Sequence, residues 1–235
     1  MATRMKGYEA CFSPTLMRRM PVIVRVDGRA FHSLRLEKPF DRAFRQAMVD
    51  TAILVAKEMQ GFRLAYHQSD EVSFLLLDTD TLQTEPWFAN TLNKLVSISA
   101  ALMSAGFTTA WASHAQLSPY VTIHAFDSRA FNVPPEEVAN CFLWRAKDWE
   151  RNSVAMFAQA NFSHRQLHGK GRADMHEMLH GIGKNWATDV PEDFRNGTFI
   201  LRDGSLRSDV LPTFQAVDAL VTDAMAPAVP ADAAG

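Results

Sequence analysis

Short apolar runs and longer stretches with helical spacing alternate along the first 130 residues of the chain. The run over 22–26, apolar except for one arginine, is typical of a strand buried on both faces. From Pro39 to Gly61, apolar residues recur at every third or fourth position, which predicts a helix. Two further apolar runs, 62–67 and 71–77, flank a polar, turn-prone triplet. They predict a β-hairpin.

The same pattern continues to a second helix and a fourth strand. A long stretch rich in Leu, Ile, Met and Ala predicts a helix from Trp87 to about Ala110, and a strand is predicted from Tyr120 to Phe126. The order β-α-β-β-α-β is that of the ferredoxin-like arrangement, an antiparallel sheet with two helices on one face. A parallel mononucleotide-binding sheet would need a Gly-rich phosphate loop after the first strand, and none is present. The sequence therefore predicts an α+β fold.

Further elements are predicted on both sides of this core. They are helices over 4–19, 136–160, near 163–167 and near 173–182, and a short strand over 198–202. The Ala- and Pro-rich end has no periodic apolar face and predicts a flexible tail. We expect a core with its N-terminal helix over 1–132, a mainly helical part packed on it over 133–222 that contacts RNA, and the tail over 223–235.

Length and composition limit the size of the core and the class of protein. A chain of 235 residues with 47% hydrophobic positions can bury one sizeable core, or one core and a small appendage. We find no apolar run of about 18 residues and no secretory signal, so we expect a cytoplasmic protein. Cys11 and Cys141 are too few for a disulfide framework and lack metal-binding spacing. The net charge of −2 does not indicate nucleic-acid binding, although basic residues gather in the second half.

Two of the predicted strands end in carboxylates. Asp27 and Gly28 follow the first strand, and Asp70 and Glu71 lie at the tip of the hairpin. The ferredoxin-like arrangement brings these ends together, where carboxylates repel each other unless a cation lies between them. Two metal ions that bind a triphosphate would supply this positive charge. The alternative is a capping aspartate and an ordinary turn. Basic residues close in sequence, able to meet phosphate, favour the metal site: Arg25, His32 and Lys38.

Two pairs of histidines have the spacing of zinc ligands on a helix. His164 and His168 form one i,i+4 pair, and His176 and His180 form the other. The first pair lacks the Glu of a His-Glu-x-x-His motif; residues 176–180 read H-E-M-L-H and have it, but no cysteine lies close in sequence to either pair as a third ligand. We therefore favour RNA phosphate contact or ordinary surface positions over zinc.

Three segments together resemble a known family. Residues 24–32 read V-R-V-D-G-R-A-F-H, residues 37–41 read E-K-P-F-D, and residues 66–74 read Y-H-Q-S-D-E-V-S-F. In this order, within residues 5–130, they resemble the catalytic core of the tRNA-His guanylyltransferase superfamily. The resemblance implies a polymerase-palm-type sheet. It also implies a Mg²⁺-dependent enzyme that activates the 5′ end of tRNA with a nucleoside triphosphate and adds nucleotides in the 3′-to-5′ direction.

The resemblance also implies roles for individual residues. Asp27, the Gly28 carbonyl and Asp70 would bind two Mg²⁺ ions, with Glu71 beside them as a further metal-binding or catalytic residue. Nucleotide binding is implied for Gly28, Arg29, Ala30, Phe31, His32, Lys38, Ser69 and Asp70. RNA or triphosphate contact is expected of Arg25, Arg151, Asn152, Lys170 and Arg172. The expected ligands are Mg²⁺, ATP, GTP and other NTPs, and tRNA, and members of the family are commonly tetramers.

The second half of the chain departs from the eukaryotic pattern. Where eukaryotic members have His-Ile-Asn-Asn, residues 148–153 read D-W-E-R-N-S, which keeps one Asn and lacks the His. Residues 173–177 have Met and His where eukaryotic members have Lys-Asn. These features resemble the bacterial and phage-like branch, associated with template-dependent repair of 5′-truncated tRNA. Two alternatives stay open: a nucleotide cyclase, which shares the palm and its carboxylates, and a noncatalytic RNA-binding module.

Overall fold

An antiparallel sheet forms the centre of the protein. The computed structural model describes residues 1–114 and 123–227, apart from the side chains of His32 and His114. The strands are β1 (Val22–Gly28), β2 (Phe62–Gln68), β3 (Glu71–Leu76), β4 (Phe126–Asn132), β5 (Thr198–Leu201) and β6 (Leu206–Arg207). Their order across the sheet is β4-β1-β3-β2-β5-β6. The predicted α+β fold with an antiparallel sheet is confirmed.

Nine α-helices surround the sheet within the described residues. They are α1 (Ala2–Ala10), α2 (Arg42–Glu58), α3 (Leu92–His114), α4 (Val138–Gln159), α5 (His164–Leu167), α6 (Arg172–His180), α7 (Trp186–Asp189), α8 (Glu192–Arg195) and α9 (Phe214–Met225). Short 3₁₀ helices cover Phe31–Ser33, Trp87–Asn90 and Pro135–Glu137. The start of α2 follows from its cap, because the Phe44 amide donates to the Asp41 carboxylate at 2.9 Å.

Helices cover both faces of the sheet. Val22, Val24 and Val26 of β1 pack into the cluster formed with α2 and α3. Ile23, between them in sequence, packs on the opposite face with Phe142 of α4 and other residues of α4 and α9. This alternation is the two-residue period of a strand. A third apolar cluster joins the second half of α4 to α6, α7 and α8.

Two predicted elements were wrong in extent, and two elements of the fold were not predicted. The helix predicted over 4–19 ends at Ala10, and Pro14, which has no backbone N–H to donate, lies within the remaining range. The strand predicted over 120–126 begins at Phe126 and runs to Asn132, while residues 120–122 lie outside the described residues. No element was predicted between 203 and 222, which holds β6 and most of α9.

The helix α3 also corrects an expectation from composition. Its stretch Leu92–Ser113 is long and apolar enough to cross a membrane by length and composition alone, a criterion that core helices also meet. The expectation that no segment reaches that length was wrong. In this fold, Leu95, Met103 and Phe107 of α3 are buried in the cluster that α3 shares with α2 and the sheet.

Candidate active site

A row of acidic side chains crosses three adjacent strands at one end of the sheet. Asp27 of β1 lies directly opposite Glu71 of β3 and directly opposite Asp127 of β4. Directly opposed residues project from the same face of a sheet. Asp70 lies in the turn before β3, where its carbonyl oxygen accepts a hydrogen bond from the Gly28 amide at 2.9 Å. The predicted carboxylates are therefore brought together, and like charges so close require compensation.

Arginines compensate the two ends of this row. Glu71 is buried, and both its carboxylate oxygens accept hydrogen bonds from Arg145 of α4, from Nε and Nη2 at 2.7 Å each. Asp127 accepts a hydrogen bond of 2.7 Å from Arg129, and that pair is exposed. Among the described residues, no ion pair reaches the carboxylate of Asp27, in the middle of the row.

The pKa of Asp27 reflects this position. Burial raises the pKa of the Asp27 carboxyl to about 6, and the charges of Asp70, Glu71 and Asp127 contribute in the same direction. Arg129 opposes the rise and does not cancel it. The negative charge of Asp27 thus lies among other carboxylates without an ion pair in the described part of the chain. A bound cation would neutralise it.

Close backbone contact brings β1 to the hairpin. A Cβ atom at Gly28 would lie 3.0 Å from the Cβ of Asp70 and 2.9 Å from the ring of Phe31, so a larger residue does not fit without movement. In the turn itself, Ser69 has a φ of 50°, in the left-handed region. The glycine therefore allows the end of β1 to lie against the turn that holds Asp70.

These donors fit Mg²⁺ better than a structural metal. The described residues contain no group of three or more His, Cys, Asp or Glu side chains that could hold an ion. Two carboxylates, Asp27 and Asp70, and the carbonyl of Gly28 are the candidate ligands. Mg²⁺ commonly keeps several waters and binds through one or two carboxylates together with phosphates of the substrate. Glu71 is a less suitable metal ligand, because hydrogen bonds from Arg145 occupy both of its carboxylate oxygens.

A cavity opens beside the hairpin tip, among α2, α4 and α8. Its volume is about 70 Å³, and Ser69 and Gln68 line it together with aromatic rings. The rings of Phe40 and Phe194 stack there at 4.8 Å between centroids. Buried polar atoms of the lining, among them Oε1 of Gln68 and Nε1 of Trp149, have no hydrogen-bond partner among the described residues. Apolar walls with a few polar groups are typical of a small-molecule site.

The other residues predicted for nucleotide binding lie at different depths. Arg29 and Ala30 are exposed just beyond β1. The ring of Phe31 is buried and packs against Phe44, Phe107 and Phe126, so this side chain belongs to the core. The side chain of His32 lies outside the described part of the structure. Lys38 lies between Glu37 and Pro39, both of which line the cavity.

The residues predicted for RNA contact lie on β1, α4 and α6 and in the loop before α6. On α4, Arg151 pairs with Asp148, and Asn152 is half-buried. Arg172 of α6 donates to Glu150 of α4 at 3.0 Å, and Lys170 is exposed. The rings of one histidine pair, His164 and His168, lie 6.3 Å apart, with no third ligand near them among the described residues.

Two residues of the site were not singled out from the sequence. Arg145 is separated by 74 residues from Glu71, so only the fold reveals the pair. The sequence showed Arg145 as one member of a basic stretch. Trp144, which lies against Arg145, carried no signal beyond being aromatic.

A family of known proteins matches the part of the chain that carries this site. The family described as Thg1, tRNAHis guanylyltransferase, matches residues 2–134, which is more than half of the chain. The chain belongs to the tRNA-His guanylyltransferase family. The resemblance inferred from the three sequence segments is thereby confirmed. The predicted enzyme class is confirmed as well, because guanylyltransferases are nucleotidyltransferase enzymes.

Individual relatives of this family are similar over most of the chain. The tRNA(His) guanylyltransferase of Schizosaccharomyces pombe is 28% identical over 200 residues, which cover 77% of this chain and 73% of that protein. A bacterial Thg1-like protein solved in complex with ATP is 36% identical, with a TM-score of 0.89 over 96% of this chain and 99% of that one. A bacterial Thg1-like protein solved in complex with GTP is 33% identical, with a TM-score of 0.80 and the same coverage.

Proposed function

We propose that this protein is a Mg²⁺-dependent nucleotidyltransferase that extends tRNA at its 5′ end, in the 3′-to-5′ direction. The observation that carries the proposal is the position of Asp27, which has no ion pair among the described residues, beside the turn of Asp70, in which Ser69 lines a cavity. The similar bacterial proteins solved with ATP and with GTP support nucleotide binding at this fold. The names of the curated relatives support tRNA as the substrate.

The proposed metal ligands are Asp27, Asp70 and the carbonyl of Gly28, which would hold two Mg²⁺ ions. Bound Mg²⁺ neutralises triphosphate charge and polarises the phosphorus under attack. Glu71, which we predicted as a further metal or catalytic residue, is proposed to act at the border of the site. Its carboxylate adds negative charge next to Asp27 while Arg145 holds it in place.

The reaction is proposed to take two steps. In the first, an oxygen of the RNA 5′-phosphate bonds to the α-phosphorus of an NTP, and pyrophosphate leaves. In the second, the 3′-hydroxyl of another NTP bonds to the RNA 5′-phosphorus, a nucleoside monophosphate leaves, and the hydroxyl proton passes to solvent. The chain's part is to align these groups, which accounts for most catalysis of phosphoryl transfer.

The binding roles are assigned by position. Ser69 and the cavity would receive a nucleotide, with Lys38 and the backbone after β1 near its phosphates. The proposed phosphate-binding segment at and after the end of β1 consists of Gly28, Arg29, Ala30, Phe31 and His32. RNA contact is assigned to Arg25, Arg151, Asn152, Lys170 and Arg172. A homotetramer and a cytoplasmic location remain predictions, the first of which light scattering of the purified protein would check.

Template-dependent repair is the form of this activity that we favour. Residues 148–153 lack the histidine of the eukaryotic segment, and the bacterial Thg1-like protein solved with ATP aligns over nearly the whole chain. The test compares two tRNA substrates with Mg²⁺ and each NTP: one that lacks its 5′ G opposite a C, and one full-length tRNA-His that lacks only the extra G. Extension of the truncated tRNA by the complementary nucleotide supports repair. Extension chiefly of tRNA-His by G would instead indicate a dedicated guanylyltransferase.

Two control reactions address the alternatives. A cyclic nucleotide formed from ATP or GTP alone would indicate a cyclase. RNA binding without extension of either tRNA, and without any effect of Mg²⁺ or of a chelator, would indicate a noncatalytic module. The proposal requires extension that a chelator abolishes and that added Mg²⁺ restores.

A further inference from the structure

One tryptophan of the chain is exposed beside the acidic row. Trp144 of α4 has 55% of its surface exposed, whereas each of the other four tryptophans is less than 10% exposed. Those four are Trp87, Trp111, Trp149 and Trp186. An indole ring gains from burial, so one that remains exposed next to a site is a candidate contact surface.

Two arginines hold this ring on the face of the sheet that carries Asp27. The guanidinium carbon of Arg25 lies 5.2 Å from the centroid of the Trp144 ring, and that of Arg145 lies 4.7 Å from it. Both distances are within the range of cation–π attraction. Arg25 precedes Asp27 by two residues in β1, so both side chains project from the same face. Arg145 in turn binds Glu71 in the acidic row.

Two arginines face each other beside the ring, and one of them, Arg129, is also paired with Asp127. Arg25 of β1 lies directly opposite Arg129 of β4. Two like charges directly opposite in a sheet are destabilising, and a phosphate group between them would remove the repulsion. An exposed aromatic ring flanked by arginines is also the surface on which unpaired RNA bases stack, with their phosphates on the arginines.

We propose that Trp144 and its flanking arginines form a stacking platform for an unpaired base at the acceptor end of the RNA substrate. A phosphate of the same strand lies against Arg25 and Arg129. The location of this platform rests on the proposed function, because the end of the RNA must come to Asp27. The platform adds to that function a contact with single-stranded RNA. A duplex end without an overhang cannot supply it.

The test uses the intrinsic fluorescence and RNA affinity of the full chain. The probe is an RNA hairpin that mimics an acceptor stem with a single-stranded 3′ overhang, compared with the same hairpin made blunt. We expect the overhang to quench the fluorescence of the wild-type protein, and Trp144→Phe to remove this quenching while keeping affinity within a few-fold. Trp144→Ala is expected to weaken binding of the overhang hairpin about 10- to 100-fold and to leave the blunt hairpin unaffected.

A matched control and three outcomes complete the test. Phe214→Ala removes an aromatic side chain that is 51% exposed at the start of α9, and it is expected to change neither affinity. Equal binding of the overhang hairpin by Trp144→Ala and wild type, with equal melting temperatures, overturns the platform. Quenching by ATP or GTP alone, with no preference for the overhang, also overturns it in favour of a mononucleotide site. Overhang binding that depends on Trp144 in a protein without extension activity supports the platform and contradicts the proposed function.

Discussion

The two faces of the sheet differ most where β1 ends. On the face covered by α2 and α3, Val22, Val24 and Val26 continue the apolar core along the whole strand. On the face covered by α4, the same strand has Ile23 and then Arg25 and Asp27. Alternate residues of one strand thus serve separate purposes. One face stabilises the fold, and the end of the other face is available for charge and chemistry.

A second contrast lies between two arginine–carboxylate pairs of similar geometry. Arg145 binds Glu71 in the buried end of the acidic row, with two hydrogen bonds of 2.7 Å. Arg207 binds Asp209 on the surface, with hydrogen bonds of 2.7 and 2.8 Å. Their energetic importance should differ widely, because solvent screens the exposed pair and not the buried one.

The largest effect on activity is expected from removing the charge of Asp27, on the face of the sheet covered by α4. Asp27→Asn should lower 5′-extension of tRNA by at least about 10²- to 10³-fold, as loss of a single electrostatic group at a reacting centre commonly does. Its melting temperature should stay equal or rise, because repulsion from Asp70 and Glu71 decreases. Asp127→Asn is the control, since Arg129 already compensates that carboxylate. Wild-type extension by Asp27→Asn would refute the assignment of the site.

The opposite result is expected from a change on the apolar face. Phe107 is fully buried, and its ring lies 5.1 Å from that of Phe31 and 5.5 Å from that of Phe44. Phe107→Ala should reduce the free energy of unfolding by about 3–5 kcal/mol. Denaturant titration measures this loss, while extension per folded molecule should change little at low temperature. A Phe107→Ala variant with full stability and no activity would contradict the conclusion that this face stabilises the fold and the other carries the site.

The two arginine pairs provide the next comparison. Arg145→Met leaves the Glu71 carboxylate buried without its partner, which should cost about 3–5 kcal/mol of unfolding free energy. Adding Glu71→Gln should restore a large part of that loss, because the buried charge is then removed. Arg207→Met should cost no more than about 1 kcal/mol. Equal losses at the two positions, measured by denaturant titration, would contradict the contrast.

The smallest effect concerns pH and His67 of β2. Burial is the main cause that lowers the pKa of the His67 imidazole to about 3; the charge of Arg45 adds to this lowering, and the hydrogen bond with the Ser69 carbonyl opposes it. Below about pH 6.5 the unfolded state binds a proton that the folded state does not, so stability falls as pH decreases toward 3. The contribution is on the order of 2 kcal/mol at pH 5. Comparing His67→Gln with wild type at pH 7.5 and pH 5 isolates it, and equal acid sensitivity of the two proteins would argue against it.

Local patterns predicted the elements whose apolar period is strong. The run over 22–26, the helix after Asp41 and the hairpin at Ser69 were recognised because their signals lie within a few residues. The fourth strand was placed too early, since Asp127 and Arg129 resemble an exit turn although they lie inside β4. The helix α9 was missed although Phe214, Val217 and Val221 recur at helical spacing, and the fold buries Val217 and Val221 against α4 and the sheet.

The sequence alone determined that carboxylates end two neighbouring strands, because a strand, its length and its exit turn depend on nearby residues. Tertiary structure alone decided how their charges are balanced. It brought Arg145 to Glu71 from 74 residues away, left Asp27 without an ion pair among the described residues, and set Arg25 against an exposed Trp144. The physical reason is that compensation of charge depends on distance and burial, and both arise only when separate elements pack.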